Sequence, residues 1–213
     1  MRITVFGAAG NVGSRVVAEA LSRGHEVTAV VRDPARFPHL PAGVEARTGD
    51  AAVADDVAAL SAGQDLVISA TRPAPGHESE HAATTRALLA GLARTGVRLL
   101  VVGGAGSLTV PGSGGRAVRD DPALAPAAIR PITLAGTEQL AVCRAETTVD
   151  WVYLSPAARL APGERTGAYR LGTDELLVDA EGNSAISMED LAVALLDEAE
   201  WPKHRRVRFT VAY

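Results

Sequence analysis

A turn carrying three glycines near the N-terminus constrains this chain more than any other stretch. Val5-Phe6-Gly7-Ala8-Ala9-Gly10-Asn11-Val12-Gly13 follows the apolar run Ile3 to Phe6 and opens a segment with helical apolar spacing, Val12, Val16, Val17, Ala20 and Leu21. The order is strand, tight turn, helix. Lacking a Cβ, Gly7 can take the strained turn, Gly10 admits a pyrophosphate to the backbone, and Gly13 lets the helix pack closely on the strand. The first N–H groups of that helix and its macrodipole then face negative charge. A second strand, Glu26 to Val31 after Gly24, completes the setting of a dinucleotide site. Its expected contacts are Gly7, Ala9, Gly10, Asn11, Val12 and Gly13. The fold expected is α/β: a Rossmann-type, doubly wound, mostly parallel sheet with helices on both faces.

Composition narrows the partners. A chain of 213 residues lies within the range of one domain, and no repeat or linker divides residues 1–213. Apolar residues make up 47% but aromatics only 4%, which implies an alanine- and valine-rich core with little to stack on bases. A net charge of −4 provides no basic field for nucleic acid or an anionic membrane. No apolar run reaches membrane-spanning length, and the N-terminus enters a strand with no signal-peptide pattern. Cys143 is the single cysteine, excluding an intrachain disulfide and a CxxC centre; the cytoplasm is the expected location.

The second strand stops at Arg32-Asp33-Pro34. An acidic residue at that point would receive a ribose 2′-hydroxyl, but the planar fork of Arg32 suits a 2′-phosphate, so NADP(H) is expected over NAD(H). Asp33 reads either as the ribose acid or as an N-cap ahead of Pro34. A short third strand, about Val44 to Arg47, precedes Asp50, which either reaches the adenine or turns the loop. A helical stretch through Val53, Val57 and Leu60 leads to a fourth strand, Leu66 to Ala70. Its exit, Ala70-Thr71-Arg72, should border the cofactor cleft. A long helix from about Glu78 to Arg94 stops at Gly96. His77 and His81 have a metal-capable spacing, but no third ligand is evident and no metal is expected.

The fifth strand, Val97 to Val102, ends in Gly103-Gly104-Ala105-Gly106-Ser107-Leu108, where the nicotinamide should lie. Gly103 and Gly104 are expected against the cofactor. Ser107 either hydrogen-bonds a substrate or stabilises the turn. From Thr109 to about Pro131 there is no periodicity, which reads as a substrate lid. A helix from about Leu134 to Glu146 carries Cys143 among core residues, and the sixth strand, Asp150 to Leu154, exits at Ser155-Pro156 beside the cofactor. A hairpin is expected between Gly167–Leu171 and Leu176–Val178. Ser187-Met188-Glu189-Asp190 has a capping pattern that starts a helix to about Glu200, and Val207 to Tyr213 alternates as a last strand. Residues 103–131 and 155–185 would form the substrate side.

The glycine spacing resembles the fingerprint of the short-chain dehydrogenase/reductase superfamily. Classical members reduce ketones with Tyr-x-x-x-Lys, in which the tyrosine protonates the oxygen. Here Tyr153 is followed four places on by Ala157 and Tyr169 by Thr173, Tyr213 ends the sequence, and Lys203 serves no such pair. That acid is absent. The chain instead resembles the atypical short-chain group of NADH-flavin reductases with NmrA-like, NAD(P)-binding folds, over nearly its whole length. The likeness rests on Gly7 to Gly13, Gly103 to Leu108, Leu154 to Ala157, Pro162-Gly-Glu-Arg-Thr-Gly167 and the Arg208 to Tyr213 tail. It is similar, more distantly, to the biliverdin IXβ reductase/flavin reductase family, which shares an Arg after strand two and a Thr-Gly-Ala-Tyr run, here Thr166 to Tyr169. That family's histidine after strand six is replaced by Ala157, Ala158 and Arg159, which argues against a biliverdin-type substrate.

The resemblance implies NAD(P)H-dependent reduction of a flavin, quinone or similar conjugated acceptor, with FMN or FAD entering as substrate. Such a transfer depends mainly on positioning, which fits the missing acid. Ser107 would hold the acceptor, and Arg159 would neutralise charge on it or else form a surface ion pair. Apolar lid residues such as Leu108, Val110 and Leu160 would line its pocket. Two alternatives stand beside this: an NADP-binding redox sensor without turnover, and a pathway-specific reductase or epimerase. The expected partner is a small molecule, and the assembly a monomer or homodimer.

Overall fold

The computed structural model describes residues 1–213. In chain order its elements are β1 (Arg2–Phe6), α1 (Asn11–Ser22), β2 (Glu26–Val31), β3 (Glu45–Thr48), α2 (Ala54–Ser61), β4 (Leu66–Ser69), α3 (His81–Ala93), β5 (Arg98–Val102), α4 (Arg130–Ala145), β6 (Trp151–Ser155), β7 (Arg159–Ala161), β8 (Arg170–Gly172), β9 (Ala185–Ser187), α5 (Met188–Glu200) and β10 (Val207–Ala212). The main sheet has the order β3-β2-β1-β4-β5-β6-β10-β8 and is parallel except for β8. β1 pairs with β2 on one side and β4 on the other, so the strand order reverses beside β1, and ligands of such sheets collect beyond the carboxyl ends there.

Side-chain alternation along the strands builds a core on each face. Ile3, Val5, Leu66, Ile68, Leu100, Val152 and Leu154 face α1 and α5. Val67, Leu99, Val101, Trp151 and Tyr153 face α2, α3 and α4. Both faces are covered, so the central strands are apolar on both sides. Each large side chain buried in this way contributes about 1.5–3 kcal/mol. Cys143 lies inside the second core, where burial pushes its thiol up to about 12 and keeps it protonated.

Local signals explain several boundaries. Asp33 caps the short 3₁₀ turn Pro34–His39 by accepting the Ala35 N–H at 2.9 Å. Ser187 Oγ accepts the Asp190 N–H at 2.9 Å and starts α5. Gly96, at φ 72°, returns its N–H to Leu92 O at 2.8 Å just past α3.

Three expectations need correction, and one further element was not expected. α4 begins at Arg130, not Leu134, because Pro131 sits at a first-turn position that tolerates it and so belongs to the helix rather than to the lid. The hairpin between Gly167–Leu171 and Leu176–Val178 does not form: β8 pairs antiparallel with β10, and Glu175 bridges to Thr109. β7 and β9, three residues each, form a separate parallel ribbon that so short a pattern cannot announce. Leu108 does not line an open pocket; it is fully buried with Val118 and Leu176 in a small separate core.

Candidate dinucleotide and acceptor site

The glycine turn lies at the strand-order reversal. Gly7 has φ 78°, and a Cβ there would stand 2.6 Å from Ala70 O at the exit of β4. A Cβ on Gly13 would lie 2.1 Å from Gly7 O, so the helix start is pressed directly onto the turn. Gly10 differs, since a Cβ there would meet only Gly7 O, at 3.2 Å. Gly10 is the N-cap of α1, with no side-chain cap and no acidic residue in the first turn. The first N–H groups of α1, at Asn11, Val12 and Gly13, are therefore left to an external acceptor. An uncapped helix start under a glycine that closes no space is what a pyrophosphate needs.

Two guanidiniums stand at the exit of β2. Arg32 is exposed and has no side-chain partner. Arg36, four residues on, donates from Nη2 to Ala9 O at 2.9 Å and so leans on the glycine turn. Sequence reading missed Arg36; its position on the turn that Asp33 caps was the available signal. Asp33 and Asp50 both serve local turns, Asp50 by accepting the Ala52 N–H at 2.9 Å. At the β4 exit the hydroxyls of Ser69 and Thr71 are 3.0 Å apart, and Ala70 N–H returns to Phe6 O at 2.9 Å. Arg72 is exposed there. Burial, helped by the charge of Arg72, holds the His81 pKa below its ordinary value against the opposing hydrogen bond to Gln139. His77 instead pairs with Glu80 at 2.8 Å, so the two histidines face different partners.

The β5 exit is built around Tyr153. A Cβ on Gly103 would overlap the Tyr153 ring at 2.0 Å. The Tyr153 hydroxyl accepts the Gly104 N–H at 3.0 Å and lies 2.9 Å from Gly136 O and 3.1 Å from Gln139 Oε1. Burial pushes this phenol well above its ordinary range, which suits a pillar rather than an acid. Ser155 donates to Gly104 O at 3.0 Å, and buried Pro156 follows it. Gly103, Gly104 and Ser155 thus form one knot under the loop.

Ser107 and Arg159 are held by different elements. Arg208 on β10 donates from Nη1 to Ser107 Oγ at 2.8 Å, while its Nη2 contacts the Asp174 carboxylate. Arg208 was not expected in the site; alternation along Val207 to Tyr213 puts it on the polar side, yet both faces of β10 are covered. Arg159 opens β7. Its backbone N–H bonds Ser184 O at 2.9 Å, leaving the exposed side chain without an ion-pair partner.

The Pro162–Gly167 run is a clamp. Glu189 accepts the Gly163 N–H at 2.8 Å and pairs with Arg15 at 2.9 Å, tying the run to α5 and α1. Arg165 grips buried Glu19 through two bonds of 2.7 and 2.8 Å. These contacts fasten the run to α1 and α5.

The fold and the uncapped glycine turn define a nucleotide-binding α/β protein. Residues 7–202 match the family described as NAD(P)H-binding, and the chain belongs to that family. A structure from Burkholderia pseudomallei, provisionally called an exported protein, is 41% identical, covers 100% of both chains and superposes with a TM-score of 0.89. One from Bacteroides thetaiotaomicron, provisionally named an epimerase, is also 41% identical over 100% of this chain and 96% of that one, with a TM-score of 0.89. A Streptococcus pneumoniae protein provisionally named an NADH-flavin reductase is 32% identical over 100% of this chain and 99% of that one, with a TM-score of 0.85. No helix is long and apolar enough to cross a membrane.

Proposed function

We propose that the protein is an NADPH-dependent reductase of a flavin, quinone or similar conjugated acceptor. The observation that carries this reading is the uncapped start of α1 under Gly10, with Arg32 and Arg36 beside it at the β2 exit. The reductase name of the Streptococcus relative supports it. Bound NADPH supplies a hydride. The chain's own part is to bind and orient. Gly7, Ala9, Gly10, Asn11, Val12 and Gly13 receive the pyrophosphate, and Arg32, backed by Arg36, the 2′-phosphate. Asp50, Ala70, Thr71 and Arg72 border the adenine half, and Gly103, Gly104, Ser155 and Pro156 the nicotinamide half. FMN or FAD enters as substrate. Ser107 contacts the acceptor, and the free guanidinium of Arg159 balances its negative charge. The lid core of Leu108, Val118 and Leu176 keeps this side rigid, so exclusion of water rests on a packed cap rather than a loose flap.

Steady-state oxidation of NADPH by the purified protein, with FMN, FAD and a simple quinone as acceptors, tests the reading. Turnover well above the uncatalysed rate supports it. Tight NADPH binding with no turnover on any acceptor favours a sensor instead, or the epimerase that the Bacteroides relative's name suggests.

A further inference from the structure

We propose that Arg208 is a positioning residue that occupies one lone pair of the Ser107 hydroxyl and so turns its proton toward a carbonyl oxygen of the acceptor. The inference rests on the reductase reading above. Arg208 stands level with Tyr153 in the neighbouring strand, and its side chain is only 2% exposed. A guanidinium withdrawn from water this far needs its donors used. Nη2 meets Asp174, Nη1 meets Ser107 Oγ at 2.8 Å, and Nε has no partner.

A guanidinium can only donate, so Ser107 Oγ accepts in this bond and its own proton must point elsewhere. No side chain or carbonyl of the protein takes that proton; the bond to Arg208 is the only one made by the hydroxyl. Ser107 is half-buried in the loop that leaves β5, and Asp174 holds the other terminal nitrogen of the same guanidinium. The consequence is a polarity filter. The free proton of the hydroxyl favours a ligand atom that accepts, such as the C4 carbonyl of an isoalloxazine or a quinone oxygen, and the guanidinium already on Oγ weakens what its one remaining lone pair offers a ligand donor. A fixed buried cation behind it strengthens the donated bond. That bond tightens further as negative charge builds on the acceptor oxygen. Arg208 does this without touching the substrate.

The test uses Ser107→Ala, Arg208→Met and the double variant. It reads the infrared carbonyl stretch of bound FMN, kcat with FMN, and NADPH affinity by titration. Wild type should lower the C4 carbonyl frequency relative to free FMN. Both single variants should return it toward the free value and reduce kcat about 10- to 100-fold, with NADPH affinity unchanged and the double variant no worse than either. Ser107→Ala leaves the Arg208–Asp174 contact in place, so it can still overturn the inference if Arg208→Met does not fold. A carbonyl frequency or kcat unaltered by Ser107→Ala overturns the inference while the reductase reading stands. Additive losses in the double variant reduce Arg208 to a lid anchor and overturn it too. Wild-type protein that neither binds nor reduces any flavin or quinone overturns the reductase reading itself, and the inference with it.

Discussion

The carboxylate of Asp190 accepts a hydrogen bond from the Tyr213 hydroxyl at 2.7 Å, joining the first turn of α5 to the chain's last residue. The same buried carboxylate takes the Thr166 hydroxyl at 2.6 Å and the N–H groups of Thr166 and Gly167 at 2.9 and 2.8 Å. Burial works to raise the Asp190 pKa, but these bonds outweigh it and hold the group below the usual carboxylate value. Asp190→Asn keeps the shape but turns an all-acceptor group into one with two donors. It should cost about 2–3 kcal/mol and lower Tm by about 5–10 °C.

A depressed folded-state pKa means the native state holds fewer protons on Asp190 than the unfolded chain does. Its stabilisation is therefore complete above the unfolded value, about 3.9, and disappears as pH falls through the folded one. The stability gap between wild type and Asp190→Asn in urea melts should stay constant from neutral pH down to about pH 5 and shrink below about pH 4. A gap that widened on acidification would contradict the sign.

The three glycines should separate in their tolerance. Gly13→Ala drives a methyl to 2.1 Å from Gly7 O and should destabilise by about 3 kcal/mol or more, read by thermal melting. Gly10→Val meets only one oxygen at 3.2 Å and should leave Tm within a few degrees while removing NADPH binding. Unchanged NADPH affinity in Gly10→Val would refute the pyrophosphate assignment.

Tyr153→Phe should cost about 1–3 kcal/mol, because the Gly104 N–H loses its acceptor in a buried knot. Its kcat should remain within about threefold of wild type, since the phenol props the β5 exit and transfers no proton. A loss of several hundredfold in kcat without loss of stability would make Tyr153 the acid.

Most of the architecture was legible because each element declared itself locally. Gly7 to Gly13 specified strand, turn and helix, Asp33-Pro34 and Ser187 marked their caps, and the apolar runs of β4, β5 and β6 marked a sheet covered on both faces. What escaped depended on contacts distant in sequence. Leu171 and Leu176–Val178 look like hairpin arms, yet Arg170–Gly172 pairs with β10 because that strand was left with an open edge. Leu108 looks like a pocket residue until Val118 and Leu176 close around it. Arg208 looks like the solvent side of an alternating strand; only its neighbours β6 and β8, and the Ser107 and Asp174 loops above, bury it. Asp190 looks like an ordinary helix-start carboxylate, and its real partners lie on Thr166, Gly167 and Tyr213.

Arg32→Ala should raise Kd for NADPH about 10- to 100-fold and leave NADH nearly unchanged, as loss of one charged hydrogen-bonding group requires. The NADPH effect should weaken with added salt, because Arg32 is exposed. Equal losses for both nucleotides would remove the 2′-phosphate assignment.

The most direct test of the reductase reading is an anaerobic titration of FMN with NADPH in the presence of catalytic amounts of the protein, run beside an NADH control. One FMN should be reduced for each NADPH oxidised, many times over per protein molecule, with NADPH faster than NADH. NADPH bound at one equivalent, with no bleaching of FMN or of a quinone beyond the protein-free rate, would contradict it.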